Sequence, residues 1–327
     1  MTSLTRAFHS NRTGRLNQTG RLSRLAMFVV LATGSPIANV RSDTPDPPGE
    51  LSELSSIRDL CYVDDRGGDP AETRVGDFRL PERSDDAPAA SPVVVVVHGG
   101  GWRSGDKRNM AGHAAALRRA GFATFNINYR LAPEHPFPAA VDDVRSAVLY
   151  LADHAETLSI DPKRIGMFGY SAGAHLVLLA AMTADADAES RCRTSHWPDD
   201  DPRWKRLPRP VAVVAGGTPS DFRNLRGGNR SMAYFFGGTP DEVPQRYTAG
   251  SLPTHASSGD PPTLLIHGTS DVIVQHSQAQ RLLETLRDAN VSARLVSLPS
   301  FGHLLTFLSA DAKAEMVAFF RRRLRPL

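Results

Sequence analysis

The sequence predicts an α/β fold, a doubly wound and mostly parallel sheet with helices on both faces. Three observations carry this. Pro92–Val97 (PVVVVV) is an unbroken β-branched run, the composition of a strand covered on both sides. Apolar strand-like runs alternate with helix-like segments from there to Met182, the rhythm of parallel strands joined by crossover helices. At the centre, Arg164–Phe168 (RIGMF) leads through Gly169–Gly173 (GYSAG) into Ala174–Met182 (AHLVLLAAM). That is a buried strand, a tight turn and a buried helix. The length of 327 residues and the 41% hydrophobic content suit one large domain behind a leader.

Residues 1–40 read as that leader. An arginine-rich stretch ends at Arg24 and is followed by the apolar run Leu25–Ala32 (LAMFVVLA), then small residues and Pro36. Two readings stand. One is a secretory signal cut near Gly34 or Ala38, which places the protein outside the cytoplasm, periplasmic or secreted. The other is a disordered extension or an organelle transit peptide. The apolar run is too short to span a bilayer, and no other segment reads as an integral membrane segment. The net charge of +3 belongs to this region: residues 1–42 carry six arginines and no acid. Setting them aside leaves 32 of the 38 basic residues against all 35 acids, a remainder of about −3. With no basic stripe carrying interleaved aromatics, nucleic acid is not expected as a partner.

Residues 41–57, rich in Pro, Asp and Ser, read as a flexible linker, and 58–327 as the catalytic domain. Cys61–Leu80 alternates weakly, as two antiparallel edge strands would. Glu82–Ser91 reads as a loop, then comes the strand Pro92–Val97. His98–Trp102 (HGGGW) follows, a turn whose glycines let backbone N–H groups face inward. Its spacing fits neither a dinucleotide fingerprint nor a Walker loop, so it reads as an oxyanion-hole loop rather than a phosphate cradle. Asn109–Ala120 is a helix stopped by Gly121, Thr124–Asn128 a strand, and Tyr129–Pro138 a proline-studded loop. Ala139–Ala152 is an amphipathic helix with Asp142 and Asp143 near its positive end.

Thr183–Arg209 breaks the rhythm and reads as a lid, a substrate-binding loop or a solvated excursion. Val211–Ala215 is a strand, Ser220–Ser257 mostly irregular, and Thr263–Ile266 a strand that runs into His267–Asp271 (HGTSD). Gln275–Ala289 is a helix and Ala293–Leu298 the last strand. His303 sits in the loop Pro299–His303, and Asp311–Arg323 is a closing helix.

Ser171, Asp271 and His303 each fall at or just past the end of a predicted parallel strand, and such ends share one rim. A serine hydroxyl is a poor nucleophile at neutral pH. A histidine can take its proton and return it to the leaving group, and a carboxylate can hold that histidine in the required tautomer. Backbone N–H groups of Gly100, Gly101 and Ala172 would receive the oxyanion. Taken singly, Asp271 could cap the next helix and His303 could face solvent. His98 reads as a brace for the glycine loop, and His175, four residues after Ser171, as a core histidine. Neither a metal nor a cofactor is called for. The two cysteines, Cys61 and Cys192, could pair in an exported protein but read first as unpaired.

HGGGW at His98–Trp102, YRLAPEHPFPAA at Tyr129–Ala140, GYSAG, HGTSD and FGH at Phe301–His303 together resemble the α/β-hydrolase esterases. The likeness is to the hormone-sensitive-lipase-like group and to bacterial feruloyl- and acetylxylan-type esterases of the BD-FAE kind, over residues 60 to 325. It implies the α/β-hydrolase fold, the triad Ser171, Asp271 and His303, and an oxyanion hole in the glycine loop. There are departures: Tyr170 stands where many hormone-sensitive-lipase-like members carry Asp. Leu304–Leu305 follow His303 in place of the common Gly-Phe, and the segment before Pro92 is short and polar for a helical cap. The function expected is hydrolysis of short acyl or aryl esters, on a small molecule or a polysaccharide, through an acyl-enzyme. The alternatives are an amidase, arylformamidase or peptidase on the same fold, and a non-catalytic binder.

Overall fold

Val93–Val97 explain the layering. In the computed structural model, which describes residues 55–63, 73–82, 90–224 and 230–324, Val93, Val95 and Val97 point into one apolar cluster and Val94 and Val96 into another. A strand buried on both faces has no polar side to alternate with, hence the uniform valines.

The strands are β1 (Ser56–Cys61), β2 (Val75–Arg79), β3 (Ser91–Val97), β4 (Ala123–Ile127), β5 (Ile160–Tyr170), β6 (Ala212–Gly216), β7 (Thr263–Gly268) and β8 (Ala293–Leu298). They form one eight-stranded sheet in the order β1-β2-β4-β3-β5-β6-β7-β8. β1 pairs β2 and β2 pairs β4 antiparallel; every later pairing is parallel. The helices are α1 (Ala111–Arg119), preceded by a 3-10 turn at Lys107–Met110, α2 (Ala139–Asp153), α3 (Ala172–Met182), α4 (Ala188–Thr194), α5 (Arg203–Arg206), α6 (Arg230–Phe236), α7 (Pro244–Ala249), α8 (His276–Asp288), α9 (His303–Leu308) and α10 (Ala310–Leu324). α2, α3 and α8 pack on the Val93 side, α1 and α10 on the Val94 side. Among the described residues, no helix is long and apolar enough to cross a membrane.

Several boundaries differ from the sequence reading. The leader and most of the linker lie outside the described residues, but Ser56 and Ile57 already belong to β1, paired with Arg79 and Phe78. A register shift between Ile57 and Leu60, with Asp59 at φ 50°, puts the two buried side chains three residues apart and hides the strand's period of two. Ser220–Ser257, read as mostly irregular, also contains the short helices α6 and α7. Both are too short to show a helical period, and they are held by rings such as Phe236 against Tyr247 at 4.1 Å. His303 opens α9 rather than closing a loop. Cys61 and Cys192 are unpaired.

The acids at the start of α2 do more than meet its dipole. Asp143 takes a bidentate grip from Arg130 (2.8 and 3.0 Å), and Asp142 pairs with the buried Arg145 at 3.0 Å. Arg145 donates further to Thr194 O (2.6 Å), Thr183 Oγ1 (2.5 Å) and Thr194 Oγ1 (3.0 Å), and Asp142 accepts from Ser195 Oγ (2.5 Å) and His196 N–H (2.7 Å). The Thr183–Arg209 segment is thus fastened to α2, with Trp197 and Trp204 buried, and is no solvated excursion. Arg145→Ala strands a buried carboxylate and two threonines. It is expected to lower unfolding free energy by about 3–5 kcal/mol, read as a drop in urea midpoint.

Candidate active site

Ser171 joins β5 to α3 at φ 54° and ψ −120°, a strained conformation for a residue with a side chain. The turn is this sharp because backbones touch around it. A Cβ on Gly169 would lie 2.2 Å from Gly173 O, and one on Gly173 would lie 2.3 Å from Val97 O and 2.5 Å from His98 O. Only hydrogen fits at either place. The Ser171 N–H donates to Gly216 O at 2.7 Å, which ties the turn to the end of β6.

The glycine loop lies against this turn. A Cβ on Gly99 would come within 2.8 Å of Tyr170 O and 3.2 Å of the Ser171 Cβ. Gly100 and Gly101 have φ of 124° and 60°, the region that glycine enters without cost, and Gly100 O accepts from the N–H groups of Arg103 and Ser104 at 3.2 and 3.1 Å. Within the described residues the N–H groups of Gly100 and Gly101 are not taken up by the backbone. Ala172 is the first residue of α3, so its N–H has no intrahelical acceptor. His98 braces the loop from behind: Nδ1 meets Gly99 O at 2.7 Å, the ring stacks on Tyr129 at 4.3 Å, and burial pushes its pKa down.

Across the rim, Asp271 is held from four directions. Its Oδ1 accepts the N–H groups of Ile273 and Val274 at 2.9 Å each. Its Oδ2 meets His303 Nδ1 at 2.6 Å and His267 Nε2 at 3.3 Å. It does not cap α8, whose N-cap is Gln275. Because the carboxylate accepts, His303 Nδ1 carries the proton, and Nε2 is left as the basic nitrogen. No hydrogen bond joins Ser171 Oγ to His303 among the described residues. The two are linked through the Gly216–Gly217 corner, which takes the Ser171 N–H and where a Cβ on Gly217 would touch His303 Cε1 at 2.8 Å.

Three supports went unread in the sequence. Tyr170 donates its hydroxyl to His303 O at 2.5 Å and lays its ring 5.2 Å from the imidazole. His267 shares Asp271 while donating to Val274 O at 2.8 Å; its place in HGTSD, four residues before Asp271, was the available signal. Gly217 has φ 57° and only glycine fits beneath His303. His175 faces the core: Nε2 meets Gly250 O at 2.7 Å, aromatic rings surround it, and burial pushes its pKa down to about 4. Among the described residues no cluster of His, Cys, Asp or Glu is placed to hold a metal.

The family model described as BD-FAE matches residues 77–286. Esterase LipC of Mycobacterium tuberculosis is 28% identical over 296 residues, 84% of this chain and 69% of LipC. Among solved structures, a truncated carbohydrate esterase from gut microbiota superposes with a TM-score of 0.72 at 25% identity, over 85% of this chain and 99% of that one. A bifunctional GH43-CE protein of Bacteroides eggerthii gives a TM-score of 0.70 at 26% identity, over 82% of this chain and 35% of that one.

Tyr170→Phe removes the brace on His303 and leaves the packing. It is expected to lower kcat/KM for ester hydrolysis by about tenfold, mostly in kcat, with an unchanged melting temperature. A second expectation concerns pH. His113, buried between Phe168 and Phe307, is pushed down to about 4 by burial and by Lys313, as His175 is by burial. Between pH 6.5 and 4 the unfolded chain therefore binds more protons than the folded one, and stability falls as pH falls through that window. Urea titrations across pH 4–7 are expected to show this, with His113→Phe reducing the slope by about one proton.

Proposed function

Since the chain belongs to the BD-FAE family and is a carboxylic ester hydrolase of the α/β-hydrolase fold, we propose that it cleaves short acyl or aryl esters by a serine mechanism. The observation that carries this reading is the 2.6 Å bond between Asp271 and His303 on the same rim as the strained Ser171 and its overlying glycine loop. His303 Nε2 takes the Ser171 proton as Oγ attacks the ester carbonyl, and Asp271 stabilises the imidazolium that forms. The N–H groups of Gly100, Gly101 and Ala172 receive the oxyanion. His303 returns the proton to the departing alcohol, and water, deprotonated by the same histidine, releases the acid from the acyl-enzyme.

Exposed apolar side chains follow both rim residues: Val272 and Ile273 after Asp271, and Leu304, Leu305 and Leu308 after His303. Such a rim suits an apolar acyl or aryl group. The likeness to carbohydrate esterases supports a sugar or polysaccharide as the alcohol. The arginine-rich leader with its short apolar run supports export to meet such a substrate.

The test is a panel of p-nitrophenyl acetate, butyrate and octanoate with methyl ferulate, assayed on the full chain beside Ser171→Ala. Wild-type rates are expected to fall from acetate to octanoate, and Ser171→Ala to lose at least about 10⁴-fold in kcat/KM. An unchanged rate in Ser171→Ala overturns the mechanism. Turnover of formylkynurenine above that of every ester moves the assignment to an amidase.

A further inference from the structure

β7 ends in a buried histidine, His267, four residues before Asp271. Its Nε2 faces two oxygens, Val274 O at 2.8 Å and Asp271 Oδ2 at 3.3 Å. A ring nitrogen that meets only acceptors carries the proton, so Nε2–H is a donor. Nδ1 is buried and has no partner among the described residues. Charging His267 would place a second N–H there with nothing to accept it. Burial pushes the ring in the same direction, toward its neutral form. His267 is therefore a fixed, neutral donor.

That donor closes a ring of contacts. Val274 gives its N–H to Asp271 Oδ1 at 2.9 Å and takes the His267 proton on its carbonyl. The end of β7 is thus tied to the far side of the bend that carries the carboxylate. Asp271 Oδ2 then serves two imidazoles, His303 at 2.6 Å and His267 at 3.3 Å. An oxygen that meets two N–H groups yields each of them less of its charge than it would yield one alone. Two other titratable groups face this set. His276 of α8 has its ring 5.7 Å from His267 and its Nε2 on Ser297 Oγ at 2.8 Å, and Tyr170 of β5 donates to His303 O at 2.5 Å. Among the described residues neither bonds to Asp271, so His267 is the side chain that divides the carboxylate with His303.

We propose that His267 is a positioning residue for ester hydrolysis, acting through Asp271: it anchors the carboxylate and limits how tightly Oδ2 holds the imidazolium of His303. This rests on the serine mechanism above, in which His303 must take a proton and then give it to the departing alcohol. A histidine that keeps its proton too firmly does the second task badly.

Two variants of the full chain test this. His267→Leu keeps the volume and removes the donor. His267→Gln keeps an N–H where Nε2 lies. With p-nitrophenyl acetate, His267→Leu is expected to lower kcat/KM by about tenfold, mostly in kcat. The acid limb of its kcat/KM–pH profile is expected to move up by at least about half a pH unit, because the undivided carboxylate favours the charged ring. His267→Gln is expected to stay within about threefold of wild type with the limb in place. Proton NMR of the resting enzyme reads the same effect without substrate: the far-downfield His303 Nδ1–H resonance moves further downfield in His267→Leu and stays in His267→Gln. This second readout separates the inference from the serine mechanism, which the Ser171→Ala assay tests. His267→Asn, whose amide stops short of both oxygens, gives the same readouts if the leucine variant does not fold. An unmoved limb and resonance in the donor-less variant overturn the proposal, even where activity falls, since they leave His267 a structural role alone. Equal loss in His267→Gln and His267→Leu overturns it as well.

Discussion

The chain around Ser171 has to pass within backbone contact of the end of β3, and most of the site follows from that. At Gly169 and Gly173 a methyl group would overlap carbonyl atoms at 2.2–2.3 Å. A turn this close forces Ser171 to φ 54° and lifts its side chain off the sheet. The same closeness sets the loop after β3 directly over the serine, because Gly99 has room for hydrogen only. Ser171 and the glycine loop above it are therefore placed by one packing constraint. The apolar layers hold it fixed: α3 is buried along its whole length, and β3 and the second half of β5, from Ile165 to Tyr170, are covered on both faces.

The opposite rim is positioned by polarity. Asp271 stays an acceptor because two backbone N–H groups satisfy one oxygen and two imidazoles address the other. That arrangement fixes the tautomer of His303, while Tyr170 holds the histidine's carbonyl from beneath. Tyr170 immediately precedes Ser171, so a displacement of the Ser171 turn carries the histidine's support with it. The two rims are coupled by one residue as well as by the sheet.

What was legible in the sequence tracks how local each signal is. Five consecutive valines, the all-apolar α3 and the glycines about Ser171 act through neighbours in sequence, and the sheet and motif positions could be read from them. β1 was misplaced because its register shift breaks the alternation that marks a strand. α6, α7 and α9 are one or two turns long, so their helicity is decided by tertiary contacts such as Phe235 and Phe236 in the aromatic cluster. Asp142 and Asp143 read as dipole acids, since nothing local announces that Arg130 lies 13 residues before Asp143 and Thr194 lies 49 after Arg145. His267 could be seen in HGTSD, but its sharing of Asp271 depends on the bend that Ile273 and Val274 make around the carboxylate.

The buried charges of α2 bear on the site through position. Arg130 directly follows Tyr129, whose ring stacks on His98 and whose hydroxyl donates to His98 O at 3.1 Å. The bidentate grip of Asp143 on Arg130 therefore runs through Tyr129 to the base of the glycine loop. Close packing sets that loop over Ser171, and the ion pair adds a second, directional anchor at its base. A buried ion pair held by several hydrogen bonds tolerates little displacement of either partner. Two neighbouring acids on one helix thus fix the loop over Ser171 on one side and the Thr183–Arg209 segment on the other. The burial of such expensive charges is explained better by that positional demand than by any gain in stability.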